Sequence, residues 1–375
     1  MKLERTRTWA EINLGNLEHN YRTLRACAPD SKFLGVVKAN AYGHGAVPVA
    51  RRLEQLGADC LAVACLAEAQ ELREAGIKMP VMILGATPAE FAAQVVEGDF
   101  TQAVFTVELA KALSDAAAEQ GKIAKVHIKL DTGMSRLGLL AHEPAAAAKE
   151  VAQLCGLPHL EYEGIFTHFA NADGDEDYTM LQFTRFLDTL EELEKTYSIT
   201  FAIRHCAASA AVLNYPCTHM DMIRPGIALY GHYPDPSCEG LDGPGLLPVM
   251  TLNSRVAAVR DLPGDTPVSY GCTAHFAEEG GRVAVVPIGY ADGLHRALSN
   301  EGSFWLDGQM RPIMGRVCMD MCMVSLDSAA AVSAGDVVEI FGENLPIESH
   351  AELAGTVQYE LLCAVSPRVP RIYLD

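Results

Sequence analysis

A single lysine stands where a short apolar run gives way to a polar turn, in the segment VVKANAYGHG at residues 36–45. An amine held against an apolar strand end can have a lowered pKa and act as a nucleophile toward a carbonyl carbon. Asn40, Tyr42 and His44 follow it closely, so polar and aromatic groups converge beside the amine. A salt-bridged surface lysine is the alternative. The segment predicts that Lys38 is catalytic.

An arginine ends a later apolar run, in IRPGIALYG. Arg224 is followed by Gly226 and the amide of Ile227, and Ser209 follows the preceding apolar run, which together form a typical anion cradle. An ordinary turn with a surface arginine is the alternative. Pyridoxal phosphate needs a Schiff-base lysine, a phosphate site, and an Asp or Arg at its pyridine nitrogen. These residues therefore predict pyridoxal phosphate as the cofactor.

Other reactive side chains lie in three further motifs. In VHIKLDTGMSRLG, Arg136 can bind a substrate carboxylate with two hydrogen bonds, or it can pair with other charges of its own loop, such as Lys129 and Asp131. His168 in THFAN ends an apolar run and is either a rim residue or a packing residue. Tyr270 in PVSYGC is either a buried phenol that acts as an acid or base, or a packing tyrosine.

Two cysteines and an aspartate lie close together in RVCMDMC, Arg316–Cys322. The segment lacks a second Cys/His pair at zinc spacing. We interpret it as an alternating strand and predict no metal site.

Eight short apolar runs position the candidates of the first two thirds of the chain. They are FLGVVKA, CLAVACL, PVMILGA, TQAVFTV, AKVHIKLD, YEGIFTHFA, TFAIRHCAAS and MIRPGIALYG. Helix-like stretches lie between most of them, and FTRFLDTLEELEK has apolar residues on one face at helical spacing: Phe183, Phe186, Leu187, Leu190 and Leu193. Strands that alternate with helices predict an α/β fold with a (β/α)8 TIM-type barrel, whose catalytic groups lie at the carboxyl ends of the strands. A doubly wound sheet is the alternative, weakened because no G-x-G-x-x-G follows the first run.

The pattern changes after residue 231. His232–Pro248 is rich in Pro and Gly and is typical of a linker. Beyond it, strand-like runs with Gly and Asp turns replace the helical periodicity. We predict a barrel domain over residues 1–240 and a mostly β domain over residues 241–375.

The composition excludes several classes of protein. A net charge of −19 over 375 residues argues against nucleic acid and anionic membranes as partners. No stretch approaches the roughly 18 apolar residues of a membrane span, and the charged N-terminus is unlike a secretory signal. Eleven cysteines without a C-x-x-C pair indicate reduced thiols and a cytoplasmic protein.

With these residues assembled, the chain resembles the alanine racemase family of pyridoxal-phosphate enzymes over essentially its whole length. The motifs that carry the resemblance occur in family order: VVKANAYGHG, KLDTGMSRLG, THFANAD, RHCAASAA, IRPGIALYG, VSYG, PIGYADG, GRVCMDM and RVPRIY.

The resemblance implies a role for each candidate. Lys38 would carry the cofactor, and Lys38 and Tyr270 would be the two bases on opposite faces of the substrate. The implied phosphate contacts are Tyr42, Ser209, Gly226 and Ile227. Arg224 would face the pyridine nitrogen with His168 nearby. Arg136 would hold the substrate carboxylate or the cofactor phenol oxygen, and Met319 would contact the carboxylate through its amide. Lys129, a lysine often carbamylated in the family, would orient Arg136. Asp320 and Tyr290 would support the site, with Tyr290 and Arg296 along the substrate entrance.

The resemblance also implies a homodimer with shared active sites, because Tyr270 and Met319 act in the family on the cofactor of the other subunit. The product would be D-alanine for peptidoglycan. A decarboxylase is one alternative, and it would need different residues from VSYG and GRVCMDM. A cofactor carrier on a bare barrel is another, and the long C-terminal third and Tyr270 count against it.

One position departs from the family pattern. Where the family commonly has a tyrosine, in a run like S-Y-R-V-P-R, this chain has Pro367. Proline supplies neither hydroxyl nor ring, so we expect a roomier pocket and predict that serine competes with alanine as a substrate. Leu294-His295 also replaces the commoner Tyr-Pro of the entrance.

Overall fold

In the computed structural model, the described part of the chain is residues 5, 7–235, 238 and 245–375. It divides into two compact units. The barrel unit contains Leu17–Ala41 and Ala46–Leu247, and the β unit contains Met1–Asn16, Tyr42–Gly45 and Pro248–Asp375. The boundary predicted between residues 240 and 241 lies outside the described residues, as does part of the predicted linker.

Eight parallel strands form the barrel, each overlapping one of the eight predicted apolar runs, and a ninth strand of two residues, Leu139–Leu140, pairs with Ala124–Asp131. The eight are β1 (Lys32–Val36), β2 (Cys60–Val63), β3 (Val81–Ile83), β4 (Thr101–Val104), β5 (Ala124–Asp131), β6 (Leu160–Phe166), β7 (Ile203–His205) and β8 (Met222–Ile223). Neighbours in sequence pair along the sheet, and β8 pairs with β1. A parallel bridge between Ala208 and Arg224 links the ends of β7 and β8, so the barrel is nearly closed.

Helices connect these strands and cover the outside of the sheet. The helices of this part of the chain are Leu14–Cys27, Ala46–Leu56, Leu66–Glu74, Ala92–Glu97, Val107–Glu119, Pro144–Cys155, Glu176–Tyr197 and Ser209–Asn214. Strands such as β3 are buried along their whole length, as is typical of a parallel sheet that is covered on both faces. The predicted (β/α)8 architecture is confirmed.

The longest helix, Glu176–Tyr197, shows how local sequence sets its bounds and its buried face. Asp175 caps its N-terminus by accepting a hydrogen bond from the Tyr178 amide at 2.9 Å. Phe183, Phe186 and Leu193 are buried as predicted. The prediction for Leu187 is wrong: its side chain is exposed, because it lies beside the buried stripe rather than on it.

The β unit is built mainly of strands, as predicted. Its six-stranded sheet has the order Gln309–Pro312, Ser303–Leu306, Val337–Phe341, Met250–Arg255, Thr8–Asn13, Arg371–Leu374. A three-stranded sheet has the order Ala258–Leu262, Gly281–Val286, Cys322–Leu326, and a hairpin pairs Pro267–Val268 with Ala274–His275. Two helices, Ile347–Ala354 and Gln358–Ala364, complete the unit. No helix among the described residues is long and apolar enough to cross a bilayer.

The predicted alternating strand over Arg316–Cys322 is wrong. Strand structure begins only at Cys322, and the preceding residues form an irregular loop. Backbone amides of a neighbouring loop explain this, because the Tyr290 amide donates to the Cys318 carbonyl and the Ala291 amide to the Met319 carbonyl, each at 3.0 Å. These bonds turn the chain so that Met319 is exposed.

Candidate active site

A left-handed turn follows the predicted catalytic lysine. Lys38 lies two residues beyond β1, and the next four residues all have φ between +52° and +54°: Ala39, Asn40, Ala41 and Tyr42. Each non-glycine residue in this region costs about 1–2 kcal/mol. A run of four persists only where the surrounding structure determines it, and such strain concentrates at functional sites.

Side chains of the barrel unit hold the start of this turn. The Glu68 carboxylate accepts hydrogen bonds from the amides of Ala39 and Ala64, both at 2.7 Å. The Asn40 side-chain oxygen accepts a hydrogen bond from the Ala46 amide at 2.8 Å. These contacts fix the backbone on the C-terminal side of Lys38.

The β unit holds the end of the turn. Arg371 donates from Nε to the Gly43 carbonyl at 3.0 Å. Its other nitrogens donate to the carbonyls of Val365, Ser366 and Val369. A Cβ on Gly43 would lie 2.2 Å from the Leu362 carbonyl oxygen, and its φ is +82°, so only glycine fits. Tyr42 is buried here, and burial raises the pKa of its phenol.

Arg224, directly after β8, is buried and held by four acceptors. Nη1 donates to Nδ1 of His205 at 2.9 Å. Nη2 donates to the carbonyls of Thr167 and Cys206 at 2.9 and 3.1 Å and faces Nδ1 of His168 at 3.2 Å. Burial lowers the pKa of Arg224 to about 10, which leaves the guanidinium charged at neutral pH. The predicted Arg224–His168 pair is therefore adjacent.

An aromatic ring lies beneath these cations. The Phe166 ring stacks on the His205 ring with centroids 4.7 Å apart. The guanidinium carbon of Arg224 lies 5.4 Å from the Phe166 centroid, and Nζ of Lys129 lies 5.6 Å from it. Both distances fit cation–π contacts, which help to retain two like charges near one another.

Cationic side chains are concentrated at the carboxyl ends of the barrel strands. Burial and the surrounding cations, Arg224, Arg136, Lys129 and Lys38, lower the pKa of His168 well below its usual value. Burial, Arg136 and Arg224 likewise lower the pKa of Lys129 to about 8. Four cationic side chains and one neutral imidazole thus share this end of the barrel. Such a site favours a ligand that carries several negative charges.

The predicted phosphate cradle has ordered backbone donors. Ser209 Oγ accepts hydrogen bonds from the amides of Gly226 and Ala228 at 2.9 and 3.3 Å. Ile227 lies between these two residues and begins a short 3₁₀ helix, Ile227–Tyr230. The Ser209 hydroxyl proton remains available to donate outward.

The loop after β5 carries Arg136. The Asp131 carboxylate accepts hydrogen bonds from the amides of Gly133 and Ser135, both at 3.0 Å, and so shapes the loop. Arg136 is exposed at its end. An exposed guanidinium on an ordered loop is suited to contact a small anionic ligand.

The other predicted site residues lie in the β unit. Tyr270 is 72 % exposed in the chain, so the expectation of a buried phenol is wrong for the single chain, and so is the packing alternative. Met319 and Tyr290 are also exposed. Asp320 accepts a hydrogen bond from Arg368 at 2.8 Å, so it is tied to the C-terminal segment.

A buried carboxylate organises this part of the β unit. Asp292 accepts two hydrogen bonds from Arg7 at 2.6 and 2.8 Å, one from Arg368 at 2.7 Å and one from the Gly289 amide at 2.9 Å. Arg7 also donates to the Asp320 carbonyl at 3.0 Å. Asp292 therefore fixes the loop that carries Met319.

Several of these residues were not predicted from the sequence: Glu68, His205, Asp292 and Arg371. The sequence does contain a pattern that could have identified the buried residue His127. His127, Lys129 and Asp131 alternate along β5, and residues at this spacing share one face of a strand. His127 therefore shares the face of Lys129, a predicted site residue.

A parallel barrel with a lysine after its first strand and a buried arginine after its eighth, in a chain that also contains a β unit, is typical of an enzyme of the barrel class. Residues 12–234 match the family model of the alanine racemase N-terminal domain, and residues 249–373 match that of the C-terminal domain. The chain belongs to the alanine racemase family and is therefore an isomerase.

Relatives and solved structures cover nearly the whole chain. An alanine racemase of Desulforamulus reducens is 46 % identical over 98 % of each chain, and one of Methanococcus maripaludis is 44 % identical over 98 % of each. The solved alanine racemase of Clostridium difficile 630 has a TM-score of 0.94 at 38 % identity, covering 98 % of this chain and 96 % of its own. That of Bacillus anthracis with bound L-Ala-P has a TM-score of 0.91 at 34 % identity, covering 99 % and 95 %.

Proposed function

We propose that the protein interconverts L- and D-alanine with pyridoxal phosphate as cofactor, using Lys38 and Tyr270 as its two bases. The observation that carries the proposal is the buried guanidinium of Arg224 among Lys38, Lys129 and Arg136 at the carboxyl ends of the strands. The named relatives support alanine as the substrate.

The residues present fit this cofactor. Its phosphate matches the Ser209 hydroxyl, whose oxygen already accepts from the Gly226 amide. The family implies Gly226, Ile227 and Tyr42 as further contacts. Arg224 fits the pyridine-nitrogen position because its guanidinium only donates and stays charged. Pyridoxal phosphate, when bound, weakens the Cα–H bond of an attached amino acid by accepting its electron pair.

Two bases are needed because one base returns a proton to the face from which it took it. We propose that the Lys38 amine serves one face of the substrate Cα and the Tyr270 phenol the other, so that removal on one side and delivery on the other inverts the centre. Arg136 and the Met319 amide would hold the substrate carboxylate between them, with Lys129 orienting Arg136.

The exposure of β-unit residues supports a homodimer. Tyr270, Tyr290 and Met319 are all exposed in the single chain. We propose that a second copy brings its Tyr270 and Met319 to the cofactor of the first, as the family implies. Exposed aromatic and methionine side chains of this kind are enriched at protein interfaces.

Arg224 would also protect the reaction from a side product. A guanidinium opposite the pyridine nitrogen disfavours its protonation by like-charge repulsion. The residue would thereby limit transamination, which releases pyruvate from alanine.

Serine is a second candidate substrate, and Pro367 favours it. Pro367 is exposed and follows Ser366 in a turn closed by the Val369 amide, which donates to the Ser366 carbonyl at 3.0 Å. Proline suits the second position of such a turn and carries no hydroxyl or ring toward a ligand. An apolar pocket rejects an added hydroxyl poorly, so a serine or mixed alanine/serine racemase is the alternative.

We further propose a cytoplasmic location and a role in supplying D-alanine for peptidoglycan. No disulfide joins the described cysteines, which supports a reducing compartment.

The test is chiral chromatography of L-alanine and L-serine after incubation with the purified protein and pyridoxal phosphate. We expect D-alanine ahead of D-serine. D-Serine at an equal or greater rate would favour the alternative. Neither product, from a protein that binds the cofactor, would refute racemase activity and point to a carrier or decarboxylase.

A further inference from the structure

A row of hydrogen-bonded side chains crosses the barrel interior from Arg224. Arg224 contacts Nδ1 of His205 at 2.9 Å, and Nε2 of His205 lies 2.8 Å from Nδ1 of His127. Nε2 of His127 lies 3.3 Å from Oε2 of Glu163. The row starts beyond the carboxyl end of β8 and ends beside a cavity of about 60 Å³ among the first residues of the strands, such as Lys32 and Ile203.

Chemistry fixes the direction of every bond in this row. A guanidinium has only donors, so Nδ1 of His205 must accept. A neutral imidazole then carries its proton on Nε2, which donates to Nδ1 of His127. By the same rule Nε2 of His127 carries a proton and donates to the Glu163 carboxylate, which only accepts.

The charges agree with this assignment. Burial and Arg224 lower the pKa of His205 well below its usual value. Burial also lowers the pKa of His127, so both rings are neutral. The hydrogen bond from His127 lowers the pKa of Glu163 to about 2, so the carboxylate is ionised. Two neutral imidazoles therefore connect an anion to a cation.

The backbone is shaped to admit this row. Val126 of β5 pairs with Tyr162 of β6, but His127 pairs with Gly164, so Glu163 is an inserted residue. Such bulges are uncommon between parallel strands and re-aim side chains. A Cβ on Gly164 would lie 2.5 Å from Nδ1 of His127, so the ring occupies space that only glycine leaves.

We propose that Glu163 and His127 are positioning residues that hold Arg224, through His205, in the orientation that its role requires. The inference rests on the proposed function for the group that Arg224 contacts. If His205 carried its proton on Nδ1, an N–H would face Nη1 of Arg224 and push the guanidinium away. Glu163 stabilises the required tautomers from the opposite end of the barrel, because its carboxylate accepts the Nε2 proton of His127.

The tautomers are tested in the full-length protein labelled with ¹⁵N in histidine, with and without pyridoxal phosphate. Imidazole ¹⁵N spectra are expected to show His205 and His127 neutral and protonated on Nε2 at neutral pH. Assignment uses the single variants His127→Gln and His205→Gln. A proton on Nδ1 of His205, or a charged imidazole at either position, would overturn the inference.

Kinetics test the positioning role. We expect Glu163→Leu to lower kcat for alanine racemisation about tenfold, with little change in KM, and to raise the share of turnovers that yield pyruvate. Glu163→Gln keeps an acceptor oxygen and should recover most of the activity. Gly164→Ala, which displaces the His127 ring, should act like Glu163→Leu.

Glu161→Leu is the matched control, because Glu161 lies two residues earlier on the same strand and is exposed. It should change kcat by less than about twofold. Thermal unfolding of each variant establishes that it is folded. If folded Glu163→Leu and Gly164→Ala keep wild-type kcat and pyruvate yield, the positioning role is wrong.

The two proposals fail differently. Reversed tautomers in an active racemase would overturn the positioning role alone. A wild-type protein with the expected tautomers and no racemase activity would overturn the proposed function and, with it, the role assigned to Glu163.

Discussion

Replacing Asp292 by asparagine tests whether one buried carboxylate stabilises the β unit. The carboxylate is fully buried and accepts four hydrogen bonds, from Arg7, Arg368 and the Gly289 amide. The asparagine oxygen can keep about two of the four. Each lost bond to a charged group costs about 1.5–3 kcal/mol. The two arginine side chains are 38 % and 40 % exposed, so water recovers part of the loss.

The net cost is therefore about 3 kcal/mol, near the lower end of the cost of breaking a buried ion pair. For a unit of this size, that lowers the midpoint of thermal unfolding by about 6–12 °C. Circular dichroism at neutral pH measures this midpoint. The control is Asp261→Asn, which removes an ion pair with Arg282 at 3.3 Å in the same unit but from a side chain that is 87 % exposed. The control should unfold at the wild-type temperature.

The pH dependence gives a second readout. Burial acts to raise the pKa of Asp292, but the hydrogen bonds from Arg7 and Arg368 outweigh it, so the pKa is lowered. The group therefore stabilises the fold above its unfolded pKa of about 3.9, and this contribution is lost as the pH falls through the lower folded value. The difference between wild type and Asp292→Asn should shrink in acid. Equal midpoints at neutral pH would refute the reasoning.

Other substitutions test the site. Arg224→Glu should raise pyruvate formation relative to racemisation, and an unchanged product ratio would contradict the role of the guanidinium. Tyr270→Phe should lower racemisation at least about a hundredfold while cofactor absorbance persists, whereas a carrier would lose nothing. Pro367→Tyr should lower the serine-to-alanine rate ratio about tenfold by chiral chromatography, and an unaltered ratio would remove Pro367 from substrate selection. Gly43→Ala should lower the unfolding midpoint more than Gly57→Ala, because both have φ near +82° but only Gly43 faces a carbonyl.

The barrel was predictable because its strands are short buried runs separated by amphipathic helices, and both signals are local. The strand Thr8–Asn13 was not predictable, since its partners Met250–Arg255 and Arg371–Leu374 lie more than 200 residues away. The alternating pattern of Arg316–Cys322 wrongly predicted a strand for a similar reason. Hydrogen bonds from a distant loop, at Tyr290 and Ala291, override the local pattern there.

The candidate site also contains residues that the local sequence predicts and residues that it does not. Lys38, Arg224 and His168 could be found because each follows an apolar run, and parallel strands bring such ends together. His127 and Glu163 could not be assigned a partner, because a histidine within a buried strand looks like a packing residue. The bulge at Glu163 and the space beside Gly164 bring the His127 and Glu163 side chains together, and neither feature can be predicted from the local sequence.

The left-handed turn after Lys38 has a consequence for how the protein can evolve. Glycine at Ala39, Asn40 or Ala41 would relieve conformational strain, so a screen for heat resistance alone would favour it. The same change would loosen the backbone that anchors the lysine. Selection for thermal stability and selection for activity therefore oppose each other at these positions. A screen for stability alone should enrich glycine there, and a screen that also requires activity should not.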